Sequence, residues 1–166
     1  MRNLFVGLAA LAMAVPAVAQ MPQPTTAAEY VPAAGASDLY ERMSSQMVLK
    51  DAKRPAVRKF AQMMIRDHAK TTAQVKAAAK KSGMTPPEPM LMPDQQAMID
   101  QLTSAPADQR EQLYLTQQVT AHQQALALHQ SYAASGDQPA LKTVASKAVP
   151  IVQHHLDEVQ HLTSAQ

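Results

Sequence analysis

The chain has 166 residues, with 15 Lys and Arg against 13 Asp and Glu, a formal net charge of +2 and no Cys. This near balance disfavours nucleic acid or an anionic membrane as the main partner, because both require concentrated positive charge. The lack of Cys excludes disulfides, thiolate chemistry and Cys-bound metal clusters. Ala, Gln, Leu and Met dominate and Trp is absent, which predicts an all-α fold held together by packing.

Residues 1–19 have the features of a bacterial secretory signal peptide. The charged start MRN precedes the apolar run LFVGLAALAMAV, and Ala17-Val18-Ala19 forms a small-x-small cleavage site. The apolar run is shorter than the ~20 residues that span a bilayer. We therefore predict cleavage after Ala19, no transmembrane span in the mature chain, and a periplasmic or outer-envelope location.

The mature chain predicts a flexible lead-in over residues 20–29 and a single helical domain over residues 30–163. Ser37 and Asp38, with Glu41 three residues on from Asp38, resemble a capping box for the stronger half of a first helix. Pro55 suits the first turn of a second helix, and Gly83 is typical of its end.

Four prolines between residues 85 and 94 predict a stiff crossover, followed by a short helix over about 94–104. Two further long helices are predicted, over about 107–135 and from after Asp137 to about Thr163, with Pro150 kinking the last one. Four main helices and a minor one in the crossover predict a four-helix bundle.

Three of the predicted helices carry a histidine on their apolar stripe, near mid-length: His68, His122 and His155. In an antiparallel bundle such residues meet at one level. With Glu41 from the first helix, they would form a site for a divalent transition metal, and Cu, Zn and Fe all accept imidazole. Asp67 could orient one of the histidines from a neighbouring helix.

Two alternatives stay open at this stage. The stripe histidines could instead be neutral rings paired with other core side chains, or a latch that loosens on acidification, since unperturbed His titrates near 6.5. Separately, the run HHLDEVQH places His154, Glu158 and His161 on one outer face of the last helix, where they could hold a surface metal.

The chain resembles a bacterial envelope family known as domain of unknown function 4142, which is grouped with ferritin-like folds. The resemblance rests on residues 36–87, including MMIRDHAKTTAQV, and on residues 114–162, including IVQHHLDEVQHL. It implies an exported, ferritin-like four-helix bundle without an assigned activity. The family's recurring polar positions match Glu41, Asp67, His68, His122 and His155.

One departure separates the sequence from ferritin-like di-iron centres. Those centres need a Glu three residues before a core histidine on two helices, whereas Val119 and Val152 occupy these positions here. No glycine-rich phosphate loop or nucleophile elbow is present either. The sequence thus favours metal binding without turnover over an oxidase or another enzyme, and it names no protein partner.

Overall fold

A computed structural model describes residues 23–164 of the protein, and within them it contains five α-helices and no strand. The helices are α1 (Ala27–Val48), α2 (Pro55–Lys81), α3 (Pro93–Ser104), α4 (Ala107–Ser135) and α5 (Pro139–Ser164). The predicted all-α class is confirmed for this part of the chain. The predicted signal peptide, residues 1–19, lies outside the described residues.

Helix α1 begins at Ala27, earlier than the sequence analysis predicts. Thr26 is the N-cap, and its hydroxyl accepts a hydrogen bond of 3.4 Å from the Glu29 backbone N–H. The Ala27 backbone N–H donates to Oδ1 of Asp137, at 2.8 Å. A carboxylate from the connection between α4 and α5 therefore helps to fix where α1 starts, which a local pattern does not reveal.

The predicted capping box at Asp38 and Glu41 is consequently wrong. Both residues lie in the middle of α1 and are only 1% exposed. The capping pattern that operates is Thr26-x-x-Glu29, because the Thr26 hydroxyl accepts from the Glu29 backbone N–H and donates to the Glu29 carboxylate. The two buried carboxylates become available for interior contacts instead.

Gly83 ends α2 as predicted. It has a φ of 76°, in the left-handed region that glycine adopts without strain. Its N–H donates to the Lys80 carbonyl at 3.1 Å, and the Met84 N–H donates to the Ala79 carbonyl at 3.0 Å. These are the two hydrogen bonds of a Schellman motif, which satisfies the last carbonyls of the helix.

The four long helices form a closed ring of contacts, α1 with α2, α2 with α5, α5 with α4, and α4 with α1. The short helix α3 packs on α1 and α4. Within residues 23–164, no helix combines the length and apolar character needed to cross a bilayer.

Two main apolar clusters fill the interior at different levels. One includes Phe60, Met64, Leu115 and Leu156. The other includes Val75, Leu128, Tyr132, Leu141 and Ala145. Along α2, α4 and α5, the stripe histidines come between the members of the two clusters, so they occupy a polar level between two apolar ones.

The predicted apolar stripe of α2 is buried throughout, with the members Val57, Phe60, Met64, His68, Thr72, Val75 and Ala79. The predicted stripe of α5 is buried throughout as well, with the members Leu141, Ala145, Ala148, Val152, His155, Val159 and Leu162. The predicted stripe of α4 is only partly buried, with the members Leu115, Val119, His122, Leu126, His129 and Ala133. Val119 and Leu126 are half-buried, while Gln117 and Gln118 are buried. Helix α4 contacts α1, α3 and α5, so its buried face is wider than a single stripe. Polar side chains therefore enter the interior next to His122.

Candidate metal centre

Three histidines from three helices meet at the polar level between the two apolar clusters. His68 of α2, His122 of α4 and His155 of α5 have ring centroids 5.4–5.7 Å apart. One ring nitrogen of each lies within 4.8 Å of the other two. None of the three residues is more than 3% exposed. The structure thus brings together the three imidazoles that the sequence analysis selected.

A buried carboxylate of α1 fixes the ring of His68. Oδ1 of Asp38 lies 2.8 Å from Nδ1 of His68, and Oδ2 of Asp38 accepts a hydrogen bond of 2.9 Å from the Thr72 hydroxyl. Because an ionised carboxylate can only accept, Nδ1 of His68 is the donor. The proton therefore lies on the Asp38 side of the ring.

The other two rings are fixed in the same way. Nδ1 of His122 donates to the backbone carbonyl of Gln118 at 2.9 Å. Nε2 of His155 donates to Oδ2 of Asp67 at 3.3 Å, and Arg66 in turn holds Oδ1 of Asp67 at 2.9 Å. The proposed orienting role of Asp67 therefore has a geometric basis, and His155 is the histidine it contacts.

Each imidazole keeps its second nitrogen without a partner. Nε2 of His68, Nε2 of His122 and Nδ1 of His155 are buried and accept or donate no hydrogen bond. Metal-bound histidines have this division of labour, with one N–H donating to a carboxylate or a backbone carbonyl and the other nitrogen on the metal. A merely structural histidine pair would leave fewer buried nitrogens unsatisfied.

Glu41, the predicted fourth ligand, lies beside this group but is not one of the side chains that have metal-binding spacing in it. Both of its carboxylate oxygens are buried and unpaired, and Oε1 is 3.6 Å from Nδ1 of His122. Burial raises the pKa of Glu41 to about 7, although the nearby charge of His68 and the side-chain amide of Gln118 oppose this. An unpaired buried carboxylate is costly unless a cation or a donor compensates it, so this position suits a positively charged ligand.

The protonation of the three rings differs because their neighbours differ. Burial and the charge of His68 hold the pKa of His122 well below its ordinary value, and they lower that of His155 to about 4. Burial also opposes protonation of His68, but the hydrogen bond and charge of Asp38 outweigh it and raise its pKa. Two rings are thus neutral, the state in which imidazole binds metals, and the third can exchange its proton for a metal.

The donor set fits a transition metal after a small closure. Nitrogens at 2.0–2.1 Å from a tetrahedral ion lie about 3.3 Å apart, and the three rings offer nitrogens within 4.8 Å. The nitrogens would have to approach one another by up to about 1.5 Å to reach such a geometry. Within residues 23–164, no other group of three or more His, Asp or Glu side chains has metal-binding spacing.

His129 is buried on the same helix as His122 but belongs to a different environment. Its Nδ1 is 2.9 Å from the Tyr30 hydroxyl, and the Tyr30 ring stacks on Tyr132 at a centroid distance of 3.9 Å. Burial lowers the pKa of His129 to about 4. This histidine contributes to the packing of α1 on α4 and is no member of the group of three.

The second predicted metal set lies on the outside of α5. His154 and His161 are exposed, and Glu158 is partly buried. Glu158 and His161 have the Glu-x-x-His spacing of carboxylate-bridged metal sites, yet they point to the surface and not to the interior histidines. This set stays a prediction.

Sequence reasoning missed two residues that shape the site, Asp38 and Gln118. The sequence pattern predicts Asp38 in a helix cap, although a second carboxylate one turn from Glu41 in a helical stretch is itself an unusual signal. Gln118 enters through its backbone carbonyl, which carries no sequence signal at all.

Comparison with known proteins gives a family and a shared fold. The family described as "Domain of unknown function (DUF4142)" matches residues 12–162. Among curated proteins, no significant match to the chain was found.

Solved structures of similar fold include a DUF305 fragment from Deinococcus radiodurans, with 17% identity, a TM-score of 0.74, and coverage of 87% of this chain and 99% of that chain. The Cu(II)-bound form of CopM has 16% identity, a TM-score of 0.72, and coverage of 86% and 98%. The Cu(I)-bound form of CopM has 15% identity, a TM-score of 0.70, and coverage of 84% and 96%. At these identities the likeness establishes the fold alone.

Proposed function

The chain belongs to the DUF4142 family, and from this premise we propose that it is an exported, ferritin-like four-helix bundle that binds one transition-metal ion without turnover. The ligands in this proposal are His68, His122 and His155, with Glu41 as the fourth. The closed ring of contacts among the four long helices supports the bundle. The signal-like residues 1–19 support export to the periplasm or outer envelope.

A single observation carries the metal proposal. Three imidazole nitrogens from side chains that converge on one point are buried without any hydrogen-bond partner, beside the buried carboxylate of Glu41. An unsatisfied buried polar atom costs ~1–3 kcal/mol, so this concentration is unfavourable for a purely structural core. A cation held by the three nitrogens would compensate them together, and its charge would offset that of the neighbouring Glu41 carboxylate.

Copper is the first metal to test, followed by zinc and iron. Nitrogen and oxygen donors bind Cu(II) more tightly than other divalent first-row ions. The fold is shared with CopM, whose structures hold Cu(II) and Cu(I). The chain's own contribution is to hold each ring in one tautomer, through Asp38, the Gln118 carbonyl and Asp67, and to exclude water from the site.

Isothermal titration calorimetry of the metal-stripped mature protein tests the proposal directly. We expect one-to-one binding of Cu(II), and a loss of at least about 100-fold in affinity, or ~2.7 kcal/mol, in the His68→Ala, His122→Ala double variant. His129→Gln is the matched control, because it changes a buried histidine of the same interior outside the group. Binding that is absent, or unchanged in the double variant, would refute the proposal.

One observation favours a second candidate, in which the histidines stabilise an envelope protein that binds no metal. The buried pair of His68 and Asp38 is short and charge-assisted, and such a pair can fix the register of α1 against α2. In that case, apo-protein stability would fall in Asp38→Asn while no metal binds to the wild type.

A further inference from the structure

A cleft between α2 and α5 leads from the surface to His155. It has a volume of about 350 Å³, and its lining includes His155, Asp67, His154, Lys70 and Ile151. His155 is almost fully buried, whereas His154 is exposed and Asp67 retains 26% side-chain exposure. One wall of this cleft is therefore a member of the interior histidine group.

A buried metal site needs a path by which the ion enters. His68, His122 and Glu41 are at most 3% exposed, so an ion cannot reach them directly from solvent. At the cleft, solvent approaches Asp67, which hydrogen-bonds Nε2 of His155 while Nδ1 of the same ring remains unpaired in the interior. The His155 ring thus separates the cleft from the site.

We propose that this cleft is the access route of the metal, and that His154 and Asp67 form an outer station that takes up the hydrated cation and passes it behind the His155 ring. The ring centroids of His154 and His155 are 6.3 Å apart, which places the outer imidazole one step from the inner one. This inference rests on the proposed function, since a route requires a site.

The chemistry of the outer station suits a divalent cation in exchange. One exposed imidazole and one carboxylate bind such an ion too weakly to retain it, because stable sites use three or four protein ligands. The ionic bond of Asp67 to Arg66 and the positive charge of Lys70 at the rim weaken capture further. The ion therefore binds only transiently at His154 and Asp67 and moves on to the interior site.

A residue that contacts the ion only along the route has a defined kinetic signature. Such a residue lowers the activation free energy for entry and for release by the same amount. Its removal therefore slows both rates and leaves Kd unchanged. A ligand of the final site behaves differently, because its removal raises Kd.

Stopped-flow mixing of the metal-stripped mature protein with Cu(II), together with release to a chelator, measures both rates. We expect His154→Ala to slow entry and release by about tenfold each, which corresponds to ~1.4 kcal/mol of barrier, with Kd within about twofold of the wild type. His161→Ala is the control, since it removes an exposed histidine of the same helix that does not line the cleft, and its rates should equal those of the wild type.

A second pair of variants tests the route without touching a donor atom. Ile151→Trp narrows the cleft and should slow both rates, while Lys70→Ala removes a repelling charge and should accelerate entry. Unchanged rates in both His154→Ala and Ile151→Trp would overturn the route while equilibrium binding stays intact. Loss of a second equilibrium copper ion in His154→Ala would overturn the transient role. If the wild type binds no metal, the proposed function fails, and the route fails with it.

Discussion

Helix α4 carries two buried histidines seven residues apart, His122 and His129, and they differ in what surrounds them. His129 shares a hydrogen bond with Tyr30 beside the stacked pair of Tyr30 and Tyr132. His122 faces two further imidazoles and an unpaired carboxylate. Position on an apolar stripe does not separate the two residues. The two residues are distinguished by how many buried polar atoms around each of them lack a hydrogen-bond partner.

The two regions also differ in whether they contain a buried carboxylate that a cation could neutralise. Around His129, hydroxyls and aromatic rings leave no unpaired carboxylate, and the Asp137 carboxylate accepts from Tyr132 and from the start of α1. Around His122, the buried Glu41 forms no hydrogen bond, and its nearest ion-pair partner, Nδ1 of His122, is 3.6 Å away. The Tyr30 region therefore acts as a packing unit, and the His122 region as a place where a cation would reduce the free energy. The following predictions test this division, from the largest expected effect to the smallest.

The largest effect concerns acid sensitivity at His129. Its pKa of about 4 in the folded protein lies below the unfolded value of 6.5. As the pH falls from 6.5 towards 4, the unfolded chain takes up the proton and the folded one does not, so stability is lost by up to ~3 kcal/mol. Above pH 6.5 the effect vanishes.

Urea unfolding of the apo-protein with chelator, at pH 7 and at pH 4.5, measures this loss. His129→Gln keeps a polar group for Tyr30 but does not titrate, so the difference between the two pH values should shrink in this variant. An equal loss in variant and wild type would assign the acid sensitivity to the histidine group of the metal centre instead.

The second prediction concerns stabilisation by metal. Copper at 100 times its Kd should raise the free energy of unfolding by ~2.7 kcal/mol, because it binds the folded state alone. His122→Ala should abolish the increase, and His129→Gln should retain it. Thermal unfolding with and without Cu(II) provides the measurement. The comparison breaks down if the two variants respond alike.

The third prediction concerns the residues behind the ligands. Asp38→Asn should lower metal affinity by about 10–100-fold, because Asp38 fixes the tautomer of His68 and such outer partners contribute this much in metal sites. Asp137→Asn, at the Tyr132 end, should leave affinity unchanged even if it reduces stability. Competition titration against a chelator of known affinity would distinguish the two variants.

The smallest effect concerns the Tyr30 hydroxyl. Tyr30→Phe preserves the ring stack and leaves Nδ1 of His129 without its hydrogen bond, so it should destabilise the apo-protein by ~1 kcal/mol. Metal affinity should not change. If affinity did fall, the Tyr30 region and the metal centre would be energetically coupled, contrary to the division drawn above.

Much of this fold follows from local sequence. The starts and ends of α2, α3 and α4 lie within about one residue of the predicted ones. Pro55 and Gly83 determine backbone conformation where they stand, and at Gly136 a Cβ would clash with Tyr132. The buried stripes of α2 and α5 also follow from helical periodicity. The start of α1 does not, since Asp137, 110 residues away, helps to anchor it.

The site divides in the same way. Periodicity selected His68, His122 and His155 as interior residues, because residue type and spacing are properties of the chain itself, and Asp67 was predicted separately as a carboxylate that orients a histidine. Only the tertiary structure decided which nitrogen of each ring its hydrogen-bond partner contacts. It also decided that Asp38 contacts His68 and does not cap a helix, and that Glu41 forms no hydrogen bond. Hydrogen bonds between helices depend on how each helix is rotated and shifted against the others, and that arrangement is set by the packing of the whole interior.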